Sequence, residues 1–309
     1  MNNAPHFSPI NSDENTPSNS EVHVSKGSNE ATEPVNDVTL VLGGTGKTGS
    51  RGARRLAESG RAVRIASRSA HPTFDWDQPA TWSPWLSGAS AAYITYAPDL
   101  AMPGAQDAIQ AFVDSARDVG AQRLVLLSGR GEEEAQSCER IVQASGLQWT
   151  IVRASWFNQN FSEGAFAEMV RAGVITLPAG EQREPFVDAD DIADVVVAAL
   201  TKYGHDQQVY ELTGPRLMTL ADVAADLSQA TGREIRYQDV PHQAFVGEIA
   251  ARGAPQPVVW MLDYLFSTVL DGRNAHLGDG VRRALGREPR DFSDFARGVA
   301  ATLRWEPSS

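Results

Sequence analysis

The sequence predicts an α/β fold built on a doubly wound parallel sheet. Short apolar runs alternate with longer amphipathic stretches from residue 37 onward. The runs are apolar throughout rather than at every second position, and the first leads into a glycine-rich turn. Strands that are apolar on both faces are typical of a parallel sheet covered by helices on each side. The expected architecture is a Rossmann-like doubly wound parallel sheet with a smaller C-terminal α/β portion.

Composition limits the possible partners and surroundings. The chain has 309 residues and a net charge of −12, which argues against nucleic acid as a partner. No apolar stretch approaches the roughly 18 residues that cross a membrane. Cys138 is the only cysteine, so an intrachain disulfide is impossible and a structural zinc site is disfavoured. We expect a cytoplasmic protein without a membrane span or a metal site.

Residues 1–36 differ in composition from the rest. They are rich in Asn, Ser, Pro and Glu and contain few apolar residues. Such a segment cannot bury enough apolar surface to offset the entropy of ordering, so we expect a disordered N-terminal tail. The segment also lacks the basic start and apolar stretch of a signal peptide.

The first predicted strand and the turn after it form the most informative motif. The apolar run Val38–Leu42 precedes Gly43, Gly46 and Gly49, which are spaced three apart. In a dinucleotide site these glycines allow the sharp turn, the close approach of a pyrophosphate and close helix–strand packing. A helix over 46–59 would direct its positive end at the phosphates. We therefore predict dinucleotide contacts from Gly43, Gly44, Thr45, Gly46, Lys47 and Thr48, the alternative being a flexible loop without a ligand.

The end of the second predicted strand, 62–67, indicates which dinucleotide. Sites for NAD usually carry Asp or Glu there, to hold the ribose 2′-hydroxyl. This chain has Ser67, Arg68 and Ser69 instead. Since a guanidinium matches a 2′-phosphate, NADP(H) is favoured over NAD(H) as the cofactor, with Ser67 and Arg68 as contacts. The alternative is a solvated surface arginine.

The remaining elements continue the alternation. Strands are predicted at 91–95, 123–128, 148–153 and 207–212, and helices at 103–119, 132–145, 189–201, 218–230 and 291–303. Ligands of parallel sheets bind beyond the carboxyl ends of the strands, so Tyr96 and Ser128 are further cofactor candidates. Ser128 would bond the cofactor amide or, as an alternative, cap the next helix. Asp75 and Trp76, after a short third strand, are placed beside the adenine, or Phe74 and Trp76 are an ordinary buried aromatic pair.

The last third of the chain contains a very apolar segment, Val258–Phe266. Such a segment is typical of core or of a cap packed over a cleft. Because caps shape substrate pockets, Trp260, Met261 and Tyr264 are candidate substrate contacts.

The ordered set of motifs resembles the NmrA-like branch of the atypical short-chain dehydrogenases. The resemblance is nearest to the ergot-alkaloid festuclavine synthase/agroclavine dehydrogenase type and its bacterial relatives. It rests on Gly43–Thr48, Ala66–Ser69, Phe74–Trp76, Arg123–Ser128, Arg153–Phe161, Pro185–Ala193 and Pro289–Ala296. The resemblance implies an NADP(H)-dependent reductase of a small-molecule substrate. We expect an NAD(P)-binding core over 37–155 and a substrate-binding portion over 156–309, with parts of 186–215 returning to the sheet.

The chemistry is inferred from a missing pair. Ordinary short-chain dehydrogenases use a Tyr followed four positions later by a Lys, which lowers the pKa of the proton-donating phenol. No tyrosine of this chain has a lysine at that spacing. Hydride transfer to an already activated acceptor (an iminium, quinone, azo compound or conjugated carbonyl) needs no such pair. We expect Trp156, Phe157 and Asn160 around that acceptor, and assign no catalytic residue.

A second function remains open, because the missing pair also suits a non-catalytic NAD(P)-binding sensor that acts through a protein partner.

Several other residues that could suggest a catalytic or metal site have structural interpretations. Asp188, Asp190 and Asp191 are expected to cap and charge the helix 189–201 rather than bind a metal. Glu139 is expected in an ion pair or on the helix surface, and Cys138 as a small packed residue.

Overall fold

A computed structural model describes residues 38–302. The predicted N-terminal tail, 1–36, lies outside the described residues. In chain order the strands are β1 (Val38–Leu42), β2 (Val63–Ala66), β3 (Ala89–Ile94), β4 (Arg123–Gly129), β5 (Gln148–Ala154), β6 (Val174–Leu177), β7 (Gln208–Leu212) and β8 (Arg236–Asp239). Six of them form one sheet in the order β2-β1-β3-β4-β5-β7. Every pairing in that sheet is parallel, which confirms the predicted fold class.

The helices connect these strands and cover the sheet. They are α1 (Lys47–Glu58), α2 (Ser83–Leu86), α3 (Ala105–Asp118), α4 (Glu133–Gln143), α5 (Ala165–Ala172), α6 (Ala189–Thr201), α7 (Leu220–Thr231), α8 (His242–Ala251), α9 (Gln256–Tyr264), α10 (Gly280–Leu285) and α11 (Phe292–Thr302). One π-helical turn, Leu265–Val269, continues α9. Across residues 38–302, none of the helices combines the length and the apolar character that a membrane span requires.

The two faces of the sheet bury alternate residues of each strand. On β1, Leu40 and Leu42 pack with Phe112 of α3 on one face. Val41 packs with Leu56 of α1 and Ile192 of α6 on the other face. Because successive side chains of a strand point to opposite faces, the uninterrupted apolar run of β1 fills two cores at once.

The short third strand expected before Phe74 is wrong. Between β2 and β3 the chain forms turns and two short helical segments rather than a strand. The carbonyl oxygen of Ser67 accepts hydrogen bonds from the backbone N–H groups of both Ala70 and Phe74, at 3.2 and 3.1 Å. These bonds fold the segment back on itself, so its backbone groups do not form the hydrogen bonds of a β-strand.

A second group of elements forms a separate layer beyond the sheet. Strands β6 and β8 pair in parallel as a two-stranded sheet. Its core is aromatic and includes Phe161, Phe186, Phe266 and Phe292. Between β6 and β8 the chain returns to the main sheet, where β7 pairs in parallel with residues Thr150–Ala154 of β5. The sheet ends and this aromatic layer together supply the walls of the site.

Candidate functional site

A cleft of about 970 Å³ lies where the strands of the main sheet end. Its walls include the residues that follow or end β1, β2, β3, β4 and β5, together with the cap helix α9. Its volume is near the top of the range for small-molecule sites, roughly 300–1,000 Å³. The position agrees with the rule that ligands bind beyond the carboxyl ends of parallel strands.

The glycine turn has the backbone shape that a pyrophosphate site requires. Gly43 has φ of +60°, and a Cβ there would lie 2.2 Å from Thr95 Oγ1. A Cβ on Gly49 would lie 2.3 Å from the carbonyl oxygen of Gly43, so α1 packs directly against the turn. Gly46 precedes α1 without a side-chain cap, which leaves the first N–H groups of the helix for a ligand. The residues present therefore fit a dinucleotide phosphate.

Most of the predicted turn residues line the cleft. They are Gly43, Thr45, Gly46, Lys47 and Thr48. Gly44 does not, because it packs over the neighbouring strand, where its Cβ would lie 2.4 Å from Ile65 Cγ2. Burial lowers the pKa of Lys47, although the carboxylate of Glu163 opposes that shift.

Tyr93 supports the glycine turn, a role that no pattern in the sequence predicts. Tyr93 of β3 is fully buried, and its hydroxyl lies 3.0 Å from the Thr48 hydroxyl. Burial raises the pKa of Tyr93 far above its ordinary value, so the phenol stays neutral. The periodicity of β3 signals burial of Tyr93, but only the packing of α1 shows its partner.

Arg68 lies at the rim of the cleft and is exposed. Its guanidinium makes no hydrogen bond or ion pair with any residue in the described range 38–302. Ser67 and Ser69 flank it, with their hydroxyl oxygens 3.1 Å apart. Asp75 also lines the cleft, but its carboxylate accepts the Asp77 N–H at 3.1 Å and the Gln78 amide at 2.8 Å.

The aromatic residues after β2 contribute both to the core and to the cleft. Phe74 is only 3% exposed and belongs to the sheet core. Trp76 and Tyr96 line the cleft with ring centroids 5.1 Å apart. Trp76 also contacts Phe74 edge-on at 5.2 Å and donates to the carbonyl oxygen of Thr95 at 3.3 Å. The buried aromatic pair and the cleft wall are therefore one cluster.

Ser128, at the end of β4, lines the cleft and does not cap α4. Its hydroxyl donates to Glu139 Oε1 at 2.6 Å. Arg153 binds the same carboxylate through two nitrogens, at 2.6 and 2.7 Å, as the expected ion pair of Glu139. The helix-cap alternative for Ser128 is wrong, because its hydroxyl donates instead to Glu139 in the second turn of α4.

Trp156, Phe157 and Asn160, which follow β5, also line the cleft. Trp156 packs against Phe266 with ring centroids 5.1 Å apart. The cap helix supplies an apolar wall, and its lining residues are Val258, Met261, Leu262, Leu265 and Val269.

Two of the predicted cap contacts, Trp260 and Tyr264, do not line the cleft. Trp260 is 37% exposed and stacks on Tyr264, with ring centroids 5.3 Å apart and planes 5° from parallel. The Tyr264 hydroxyl donates to Glu134 at 2.6 Å. The lining residues follow helical spacing, which places Trp260 and Tyr264 on the opposite face of α9. That spacing is the sequence signal that distinguishes the two faces.

Two acidic residues that the sequence did not predict, Asp99 and Glu132, also line the cleft. Asp99 follows β3 and Glu132 follows β4, and their carboxyl groups interact electrostatically. Burial raises the pKa of both groups, and the charge of Asp99 raises that of Glu132 further. Their positions beyond two strand ends could have identified them as candidates.

The tyrosines do not form an acid of the short-chain dehydrogenase type. Of the described tyrosines, Tyr96 lines the cleft, and burial raises its pKa. The pKa values of Tyr93, Tyr210, Tyr237 and Tyr264 are raised as well, with burial as the main cause. No lowered phenol pKa, the signature of a lysine-activated tyrosine, occurs among residues 38–302.

The remaining candidates have structural roles. The Asp188 carboxylate caps α6 by accepting the Asp190 N–H at 2.8 Å. Asp190 pairs with Arg55 at 2.6 Å, and the fully buried Asp191 pairs with Arg287 at 2.7 Å. Cys138 is fully buried, and burial raises its pKa to about 12. Within the described part of the chain, no group of three or more His, Cys, Asp or Glu residues is placed to hold a metal ion.

Comparison with known proteins agrees with this geometry. Residues 133–295 match the NmrA-like family, and residues 43–203 match an NAD(P)H-binding family. Agroclavine dehydrogenase of Claviceps fusiformis is 32% identical over 279 residues, covering 83% of this chain and 95% of that protein. NAD(P)H azoreductase of Xenophilus azovorans is 30% identical over 289 residues, covering 85% and 98%. The solved structure of an Escherichia coli NADPH-dependent quinone oxidoreductase with NADPH has a TM-score of 0.70 at 18% identity, covering 85% of this chain and 99% of that one.

Proposed function

Because the chain belongs to the NmrA-like family, we propose that it is an NADPH-dependent reductase that transfers hydride to an activated small-molecule acceptor. The observation that carries this proposal is the cleft itself, in which the glycine turn and the apolar wall of α9 line one continuous space. Several relatives are named oxidoreductases or reductases, and residues 43–203 match an NAD(P)H-binding family, which supports an oxidoreductase. The acceptor and the choice of NADPH are the proposed parts.

The cofactor preference rests on Arg68. An exposed guanidinium at the rim, flanked by Ser67 and Ser69, suits a ribose 2′-phosphate as a charge-assisted hydrogen-bond partner. The glycine turn would bind the pyrophosphate, and Trp76 and Tyr96 would contact the adenine side. When bound, the nicotinamide supplies hydride.

Acceptor binding rests on the residues after β5 and on the apolar face of α9. Trp156 and Phe157 line the same cleft as that face, and Asn160 adds an amide that can orient a polar atom. Such a pocket excludes water and holds an acceptor against the cofactor, which is the main demand of hydride transfer to an activated centre. Quinones, azo compounds, conjugated carbonyls and cyclic iminium ions meet that description. The relatives whose names refer to azo and clavine substrates belong to the same chemical range.

The test is a turnover assay with purified protein, NADPH or NADH, and one acceptor from each of those four classes. We expect oxidation of NADPH, followed at the nicotinamide absorbance band, with at least one acceptor and at lower cofactor concentrations than for NADH. Tight NADPH binding with no oxidation by any acceptor would instead support the alternative, a dinucleotide sensor that acts through a protein partner.

A further inference from the structure

We propose that Asp99 and Glu132 form a proton-donating carboxyl pair that protonates the acceptor once hydride has been transferred. This proposal rests on the proposed function and narrows it. Quinones, azo compounds and conjugated carbonyls become anionic when they accept hydride and then need a proton. A cyclic iminium ion becomes neutral and needs none. The pair therefore assigns the cleft to acceptors of the first kind.

The two carboxyl groups meet at the cleft from neighbouring parts of the sheet. Asp99 follows β3 and Glu132 follows β4, and these strands are paired in parallel. Asp99 Oδ1 accepts the Ala101 N–H at 2.8 Å, which fixes the aspartate in its loop. Glu132 is 5% exposed, lines the cleft, and has its Oε2 atom without a hydrogen-bond partner among the described residues. A buried, unpartnered oxygen of this kind is costly unless it serves a ligand or carries a proton.

The loop that carries Glu132 is built to hold the carboxyl in this position. Glu132 occupies the N-cap position of α4 but makes no side-chain cap. Its carboxyl lies over the backbone of Gly129 instead, where a Cβ would be 2.0 Å from Glu132 Oε1. The intervening Arg130 is buried and bonds to His276 Nε2 at 2.8 Å, and Asn274 donates back to the Arg130 carbonyl oxygen at 3.1 Å. The loop is therefore anchored just before the glutamate.

No cation neutralises the pair within the described residues. The guanidinium of Arg130 is directed to Glu211, 3.5 Å away, and that of Arg153 to Glu139. The Tyr264 hydroxyl, from α9, faces Glu134.

The other groups near the pair are acidic. Glu134 and Glu139 of α4 both raise the pKa of Glu132, and the nearby Cys138 thiol is neutral because burial raises its pKa. Burial and the surrounding carboxyl groups both favour the protonated form of Glu132, so the pair is suited to hold a proton for the acceptor.

The step balances with NADPH and one proton from water. Bound NADPH would supply the hydride, which carries the electron pair of the new bond to the acceptor. The anion so formed takes the proton of the pair, and one carboxyl O–H bond breaks. Solvent then returns a proton to the pair through Asp99, the more exposed of the two residues. One NADPH and one proton are consumed for each acceptor reduced.

The test compares an acceptor that needs a proton with one that does not. Glu132→Gln and Asp99→Asn are assayed with a quinone and with a cyclic iminium ion, beside the control Glu133→Gln, an exposed carboxylate of the same helix. We expect the two variants to lose about 100-fold in kcat with the quinone and little with the iminium ion. For the wild type, kcat with the quinone should fall as pH rises through the apparent pKa of the pair and should decrease in D₂O. Both effects should disappear in Glu132→Gln.

The outcomes separate the two proposals. Equal losses with both acceptors, or an unchanged pH profile and D₂O effect in the variants, would assign the pair a structural role and overturn the inference alone. Failure of the wild type to oxidise NADPH with any acceptor would overturn the proposed function and this inference together. NADPH binding by each variant checks folding. If Glu132→Gln does not bind NADPH, Asp99→Asn, in a more exposed loop position, decides the result.

Discussion

In the proposed site, the cofactor choice rests on a single exposed side chain, Arg68. The guanidinium has no partner within the described residues, so its removal breaks no contact of the fold. We expect Arg68→Ala to weaken NADPH binding by more than about 1 kcal/mol and to leave NADH binding nearly unchanged. Fluorescence titration with both cofactors measures the difference, with Arg54→Ala, an exposed arginine of α1, as the control. Equal losses for NADPH and NADH would contradict the assignment of the 2′-phosphate to Arg68.

Gly46 tests whether the turn is the phosphate site. A Cβ at this position already lies 3.2 Å from the Gly43 carbonyl oxygen, and the branches of a valine would fill the space where the pyrophosphate approaches. We expect Gly46→Val to abolish binding of both NADPH and NADH in the same titration. Gly52→Ala is the matched control, because nothing lies within 4 Å of its Cβ, and it should stabilise α1 by roughly 0.5–1 kcal/mol. Retained binding in Gly46→Val would place the cofactor elsewhere.

Among single residues, the sequence predicts those whose role depends on local backbone or side-chain chemistry. The glycine spacing identifies the turn because each glycine answers a backbone requirement, such as the positive φ of Gly43. Asp99 and Glu132 were missed because their significance lies in their contact with each other, across two loops that the sheet brings together. The hydrogen bond from Ser128 to Glu139 has the same origin.

At the scale of elements, the orientation of α9 predicts that substitutions of two neighbouring residues have different effects on acceptor binding. Met261 lines the cleft and Trp260 faces outward. We expect Met261→Ala to raise KM for the acceptor several-fold, since a lost apolar contact in a pocket is worth about 1–3 kcal/mol. Trp260→Ala should leave KM unchanged, although it removes the larger side chain. Steady-state kinetics with one acceptor at saturating NADPH measures both, and a larger effect from Trp260 would mean that α9 presents the other face to the substrate.

Elements were predictable from sequence where burial imposes a pattern. The inner strands of the main sheet, such as β1, are buried on both faces and are marked by apolar runs, whereas the edge strand β2 is partly exposed. Strand β8, Arg236–Asp239, is polar and largely exposed, so no apolar run marks it, and its partner β6 has only four residues. Both strands form because they pair with each other beside the aromatic core. This pairing depends on tertiary structure, which the local sequence does not reveal.

At the scale of the whole molecule, buried carboxyls determine how stability responds to pH. Glu184 is 2% exposed, and burial raises its pKa from 4.5 to about 7. The folded state therefore holds a proton that the unfolded state releases, and the free energy of unfolding falls as pH rises from 4.5 to about 7. Glu184→Gln should remove about 3 kcal/mol of that decline. Urea unfolding at several pH values measures it, with the exposed Glu181→Gln as the control, and an unchanged decline would refute the assignment.

The separation of the two cleft walls along the chain has an evolutionary consequence. The loops proposed to bind the hydride source belong to the first strands of the sheet, whereas the apolar wall on α9 lies far along the chain. Substitutions on that face of α9 can therefore change the acceptor without altering the proposed cofactor site. We expect related chains that differ in acceptor to differ most at the cleft-lining positions of α9.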